Sequence, residues 1–561
     1  MDAHGLEPMK GLCALNLSVR TEPTGNRLAD LHATAFAEVA HLYDNQNPTL
    51  LDTYRNRAAV VAPQFTAEHR DQLVDVLRAY MSELHASEKS FSQLERLRDR
   101  EAVAIVTGQQ AGLFTGPVLT VYKALSAVGL AQRLERELGR PVVPVFWIAS
   151  EDHDWAEVNH AYLLDQHDDV RRIVWPTPPE AHTMVFYHPL NQDDVDFIIR
   201  DAFLQLPDGP AKADVLRMFR DCWENGDSLA TWFGRVMATL FRDQGLVILD
   251  PCLPGLRDLV RPVWKTALGN VEAVQAGLED AYREVERLGI EPTVIRDREN
   301  STVFHVINGQ RYVLESNGPG RLRVRGLGIS KTVAEWQELA NDDPTRFSSN
   351  VLLRPVVQDT LLPTLAYVGG PAEIAYHALS RAVFHAHGRN LPPLLLRQRV
   401  ICYPASVVRN LAKWQIPRSE LETPGDLVAP RLGAMGFTAI EAEFEQLAAA
   451  TQLRWDEFAD RIGSLGPQVF SMARAQADRE KSGIAKLKKK TQRLFEQRHK
   501  AAIAQLRNIE RWLWTDGHLQ ERRLCPLNFL SVQGLTWIDQ LPAWGDYDLP
   551  APVYHIHDVR G

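Results

Sequence analysis

Cysteine is scarce in this chain. Five residues among 561, Cys13, Cys222, Cys252, Cys402 and Cys525, include no CxxC pair. That argues against a zinc ribbon, a dithiol redox motif and a secreted disulfide framework. Long apolar runs are missing too: no stretch approaches the ~18–20 residues needed to span a bilayer. Met1 to Glu7 lack the basic and apolar regions of a signal peptide, so a cytoplasmic protein with no membrane partner is expected. Nor is there an excess of positive charge. With 62 Lys and Arg against 71 Asp and Glu, wholesale nucleic-acid binding is not favoured. The basic run around Lys486, Lys488, Lys489 and Lys490 reads as a solvated helix face. Two nucleotide fingerprints are absent as well: there is no GxGxxG, and Gly112-Leu113-Phe114-Thr115-Gly116-Pro117 has proline where a Walker A motif needs lysine.

The most informative stretch that is present runs from Val103 to His160. Ala102 to Val106 is a short apolar strand, Thr107 to Pro117 a glycine-rich turn, Val118 to Leu138 a helix and Val142 to Ala149 a second buried strand. Glu151, Asp152, His153 and Asp154 follow at its carboxyl end. A right-handed βαβ crossover opens the turn and the end of the next strand onto one sheet edge, where ligands of open α/β folds bind. Gly108, Gly112 and Gly116, with Thr115, are therefore candidates for nucleotide or anion binding, helped by free N–H groups and the dipole at the helix start. Tyr367-Val368-Gly369-Gly370-Pro371 repeats the device, adding Gly369 and Gly370. Glu373 falls in the first turn of the helix that follows, with Tyr376 three residues on.

Further along, Gly245 to Leu249, Leu362 to Val368 and Pro393 to Arg397 bring the expected count to five strands in one parallel sheet. The helices of residues 26–100 are expected on one side of it. Asn308-Gly309 between alternating runs predicts a type I′ hairpin over 304–314. From about 437 to 514 the pattern changes to two amphipathic helices broken at Gly463 to Pro467. The second carries a seam from Ile484 through Leu487 and Leu494 to Leu513. The fold class expected is α/β: a Rossmann-like parallel-sheet core with a small β-hairpin insertion and a C-terminal helical coiled-coil arm. Its parts are a core over 1–430 with inserted segments at about 161–228 and 295–330, the arm over 431–514, and a segment over 515–561 that returns to the core.

Val106 to Pro117, with Tyr122-Lys123-Ala124 and Pro144 to Asp154, resembles the bacillithiol biosynthesis cysteine-adding enzymes, the BshC family. Asn350 to Asp359, continuing through Leu362 to Tyr376, resembles a second block of that family, and Leu519 to Arg522 with Asn528-Phe529-Leu530 a third. The chain departs from the family pattern at Ser349, where proline is expected, and at Gly466 to Val469, which replaces an acidic-Pro-Thr-Leu turn.

The resemblance implies a ligase joining the carboxyl of cysteine to the amine of glucosaminyl-malate. ATP would be the activating substrate, with or without Mg²⁺, and the arm would join two copies as a homodimer. On that reaction, His153 is the candidate general base, with Asp152 and Asp154 beside it expected to raise its pKa. Arg354 and Arg397 are candidates for a substrate carboxylate or phosphate, with a structural ion pair as the competing use. Glu373 is a candidate for the cysteine ammonium or for dipole compensation. Gln109, Gln110, Tyr367 and Tyr376 complete the substrate-binding set. A preformed zinc site is not expected, because neighbours at a strand end point in different directions. Class I nucleotidylyltransferases and aminoacyl-tRNA synthetases are similar in pattern, but their His-x-x-His signature is missing. The alternatives are another amino-acid ligase on this core, or a non-catalytic nucleotide-binding scaffold that works through its arm.

Overall fold

The computed structural model describes residues 15–541 and 552–558. The expectations at Met1 to Glu7, at Cys13 and over 542–551 and 559–561 lie outside them. Two compact units are present, one extending to Cys402 and resuming over Glu521–Ile556, the other covering Tyr403–Gln520. The strands that position the site all belong to the first: β1 (Val103–Gln109), β2 (Val142–Ile148), β3 (Val247–Leu249), β4 (Asn300–Ile307), β5 (Gln310–Ser316), β6 (Arg321–Val324), β7 (Ser330–Thr332), β8 (Phe347–Ser349), β9 (Thr364–Gly369) and β10 (Leu394–Leu396).

Strands β10, β9, β1, β2 and β3, in that order, form one wholly parallel sheet. Both faces of such a sheet are buried, which is why its strands read as unbroken apolar runs. Alternate residues serve opposite layers. Val103 and Ile105 pack with Ala127, Leu130 and Leu134 of helix α1 (Leu119–Leu138). Ala104 and Val106 belong to the other layer, with Ile374, Ala378 and Val383 of a helix over Pro371–Ala386. The N-terminal helices do not stay on one side as expected. Leu73, Val74 and Leu77 join the second layer, whereas Tyr54 and Ala58 join the first. An all-parallel sheet needs both faces covered, and neither layer is complete without them.

The hairpin appears where Asn308-Gly309 predicts it. Ile307 pairs with Gln310, and Asn308 and Gly309 take the φ values of 51° and 78° that a type I′ turn requires. Its setting is larger than a hairpin: β7, β6, β5, β4 and β8 make a five-stranded antiparallel sheet. The Gly328 to Thr332 segment contributes its edge strand β7.

In the second unit α2 (Thr438–Ile462) and α3 (Pro467–Arg498) pack as an antiparallel hairpin. Glu441 meets Lys488 at 3.2 Å, and Trp455 donates to Glu480 at 2.9 Å, so partner numbers fall as the first rise. Gly466 makes the break at φ 130°, a conformation open to glycine. The expected seam is not one helix. The His499 N–H is shared by the Phe495 and Glu496 carbonyls, tightening the last turn, and α4 (Lys500–Leu513) starts afresh. Leu447, Leu453, Leu487 and Leu494 remain exposed in this unit. Among the described residues, no helix is long and apolar enough to cross a membrane.

Candidate active site

A cavity of about 760 Å³ opens at the carboxyl edge of the parallel sheet, large enough for more than one small molecule. Strand β1 delivers Gly108 and Gln109 to it, β2 leads into Asp152 and His153, β9 into Gly370, and β10 into Arg397. Gln110, Arg354, Tyr367, Glu373 and Tyr376 also line it. Asp154, Gly112, Thr115, Gly116 and Gly369 are not among the lining residues. Asp154 is exposed at the start of the short helix Trp155–Val158.

The first glycine turn is closed on itself. Phe114, Thr115 and Gly116 all have positive φ, and a Cβ on Gly112 would lie 2.7 Å from the Gly116 Cα. Phe114 packs edge-on against Phe219 and Trp232. The Val118 N–H at the adjoining helix start donates to the Leu524 carbonyl at 2.7 Å. In the second turn the Gly370 N–H donates to Glu373 Oε2 at 2.7 Å. Protein acceptors thus take an N–H at each helix start where a ligand anion was expected to bind.

Instead, the cation-rich end of the cavity is made by side chains. Lys123, almost fully buried on α1, reaches Glu373 Oε2 at 2.6 Å, Gln109 Oε1 at 3.1 Å and the Gly108 carbonyl. Glu373 also accepts from the Tyr367 hydroxyl at 2.5 Å. Burial alone would raise its pKa, but Lys123, Tyr367 and the Gly370 N–H hold it below the usual carboxylate range. A Glu373 carboxylate so fully satisfied is a poor receptor for a further ammonium. Arg397 is also committed, bidentate on Glu521 at 2.7 and 2.8 Å with both side chains buried.

Arg354 is different. Its guanidinium donates to Gln358 at 3.1 Å and the Tyr376 hydroxyl at 3.3 Å and lies over the Tyr367 and Trp147 rings, and it makes no ion pair among the described residues. A charged guanidinium that faces a cavity and has no carboxylate partner among the described residues is matched to an incoming carboxylate or phosphate.

At the other end, Gln110 Nε2 donates to both Asp152, at 2.8 Å, and Glu157, at 2.6 Å. Asp152 accepts from the His153 N–H at 2.8 Å, and Arg311 on β5 stands 3.8 Å from it. Burial raises the Asp152 pKa, but Arg311, Gln110 and the backbone N–H groups together outweigh it, so the net shift is downward and the carboxylate stays ionised. The expected rise in the His153 pKa is reversed. Burial lowers it, and Arg311 adds to that against the opposing pull of Asp152. His153 Nδ1 is 3.8 Å from Asp152 Oδ1 and has no hydrogen-bond partner among the described residues. A half-exposed imidazole kept neutral can accept a proton at physiological pH. Among the described residues, no group of three or more His, Cys, Asp or Glu side chains is arranged to hold a metal ion.

The family models match nearly the whole chain. The model described as the bacillithiol biosynthesis BshC N-terminal Rossmann-like domain covers residues 15–398, and that of the BshC C-terminal coiled-coil domain covers 401–544. The chain belongs to the BshC family. One BshC relative, from Heliobacterium modesticaldum, is 32% identical over 93% of this chain and 96% of its own. Another, from Symbiobacterium thermophilum, is 34% identical over 92% and 94%, and one from Bacillus cereus is 29% identical over 84% and 88%. Each carries the name "Putative cysteine ligase BshC".

Lys123 and Arg311 escaped sequence reasoning as site residues. Lys123 sits in an apolar helical run, where a lone lysine reads as a surface position. Arg311 follows a hairpin turn in a sheet whose distance from the site no local pattern reveals. The only available signal for Lys123 was its place inside the Tyr122-Lys123-Ala124 family block.

Proposed function

We propose that this chain is an ATP-dependent ligase that joins the carboxyl of cysteine to the amine of glucosaminyl-malate. The family and the names of its relatives support the cysteine-adding step of bacillithiol biosynthesis. The observation that carries the chemistry is the presence, in one cavity, of Arg354 with no carboxylate partner among the described residues and of His153 held neutral. Amide formation makes both demands. A carboxylate must be activated, since its oxygen is a poor leaving group, and ATP supplies that as adenylate or acyl phosphate. The attacking ammonium must also lose a proton. In this reading His153 takes the proton while Asp152 orients the end it sits on. Arg354 binds a malate carboxylate or a phosphate, and Lys123 with Glu373 holds the wall between them. The exposed leucines of the second unit would join two copies of the chain.

The test is turnover. Purified protein with cysteine, glucosaminyl-malate and ATP is expected to yield bacillithiol, read by thiol labelling and mass spectrometry, and to consume ATP only when both co-substrates are present. No product under these conditions, together with an unchanged thiol profile in a host lacking the gene, would overturn the assignment. Arg354→Met is expected to lower kcat/KM by roughly 10²-fold without unfolding the protein.

A further inference from the structure

We propose that Arg311 is a positioning residue for the Asp152–His153 end of the cavity, coupling the inserted antiparallel sheet to the carboxyl edge of the parallel sheet. The proposal rests on reading His153 as the proton acceptor.

The geometry is a clamp between two sheets. Arg311 Nη1 donates to the Glu151 carbonyl at 2.6 Å, and Nη2 to the Ser349 carbonyl on β8 at 3.2 Å. The guanidinium lies 4.0 Å from the centre of the Phe304 ring on β4. Holding the carbonyl of residue 151 fixes the path of the chain at Asp152 and His153. A second arginine, Arg257 on the helix Pro254–Leu259, also bridges: it donates to the Phe347 carbonyl at 2.8 Å and pairs with the Glu151 carboxylate at 2.6 Å. That pairing matters for Arg311. Glu151 is already neutralised by Arg257, so the remaining acid beside Arg311 is Asp152, at 3.8 Å rather than in contact. The Arg311 charge is therefore only partly compensated where it faces His153.

The charged and titratable groups around the imidazole are Arg311 from β5, Asp152 and Asp154 from its own loop, and His182 with its ring 5.5 Å away. The two acids favour the protonated form and Arg311 and His182 oppose it. Of these, Arg311 alone is anchored to both sheets. Displacing the inserted sheet would therefore change both where His153 stands and whether it carries a proton.

The readout is the pH dependence of His153 acylation by diethylpyrocarbonate in the full-length protein, followed by peptide mass spectrometry. Only the neutral imidazole reacts, and the His153 side chain is 31% exposed. Arg311→Met is expected to move the midpoint of His153 labelling to higher pH, and Arg311→Lys, which keeps the charge, to leave it near wild type. In turnover, Arg311→Met is expected to lower kcat/KM about tenfold at pH 6 and less at pH 8. If Arg311→Met does not fold, Arg311→Gln carries the same expectation. A labelling midpoint unmoved in a folded, uncharged variant overturns the proposal. A moved midpoint in a protein that never forms the thiol product retains the coupling and rejects the ligase reading. Product formation with an unmoved midpoint does the reverse.

Discussion

Two stretches of this molecule share one local recipe, strand, glycines, proline, helix, and end up differently. The turn from Gly108 to Pro117 folds back so that Gly112 packs on Gly116, and the helix start behind it meets the Leu524 carbonyl. The turn from Gly369 to Pro371 stays short, is capped by its own Glu373, and opens onto the cavity. The difference lies in what tertiary structure brings to each helix start. The first receives a carbonyl from the far end of the chain. The second receives a carboxylate three residues on, which Lys123 of the first helix then neutralises. A glycine-rich turn before a helix is thus a capacity for anion binding that a nearby protein acceptor can fill first.

Removing the carboxylate tests that contrast most severely. Glu373→Ala leaves the ammonium of buried Lys123 without its acid and uncaps the helix; a loss of about 3–5 kcal/mol is expected in denaturant unfolding. Next comes Gly112→Ala, whose Cβ would meet backbone at 2.7 Å. Since the Gly116 main chain has no flexible end to move aside, a loss of about 2–3 kcal/mol is expected. Gly369→Ala is the matched control. Its Cβ meets the Glu373 side chain at 3.1 Å and the Tyr367 ring at 3.2 Å, groups that can shift, so about 1 kcal/mol is expected, along with a raised KM. Gly369→Ala proving as costly as Gly112→Ala would erase the distinction between a closed turn and an open one.

The smallest effect is the pH dependence carried by Glu373. Its folded pKa lies below the ordinary carboxyl value of 4.5, so its stabilising contribution is complete above that value and is lost as pH falls through the folded pKa. Acid unfolding of Glu373→Gln should therefore be shallower than wild type below about pH 4.5. Equal slopes would mean that the ion pair contributes nothing.

Much of this was legible in the chain. All five parallel strands follow from apolar runs bounded by turns, because a strand buried on both faces has no polar positions to disguise it. The hairpin followed from Asn308-Gly309, since few other residues take positive φ twice in succession. The sheet edge that carries the cavity followed from Glu151 to Asp154 standing where β2 ends. Less legible were matters of partnership. Arg354 and Arg397 look equivalent as sequence, yet Glu521, more than a hundred residues on, claims Arg397 and leaves Arg354 to the cavity. The charge state of His153 was misjudged for the same reason: its adjacent acids are visible in sequence, while burial and Arg311 are not.

By itself the sequence determined the strands, the turns, the helical arm and the edge on which the polar residues gather, because periodicity and turn chemistry act over a few neighbouring residues. Only the tertiary structure decided which glycine turn is open, which arginine is left without an acid and whether the histidine carries a proton. Those outcomes depend on burial and on charges a few ångströms away in space, supplied by residues that lie more than a hundred positions apart along the chain.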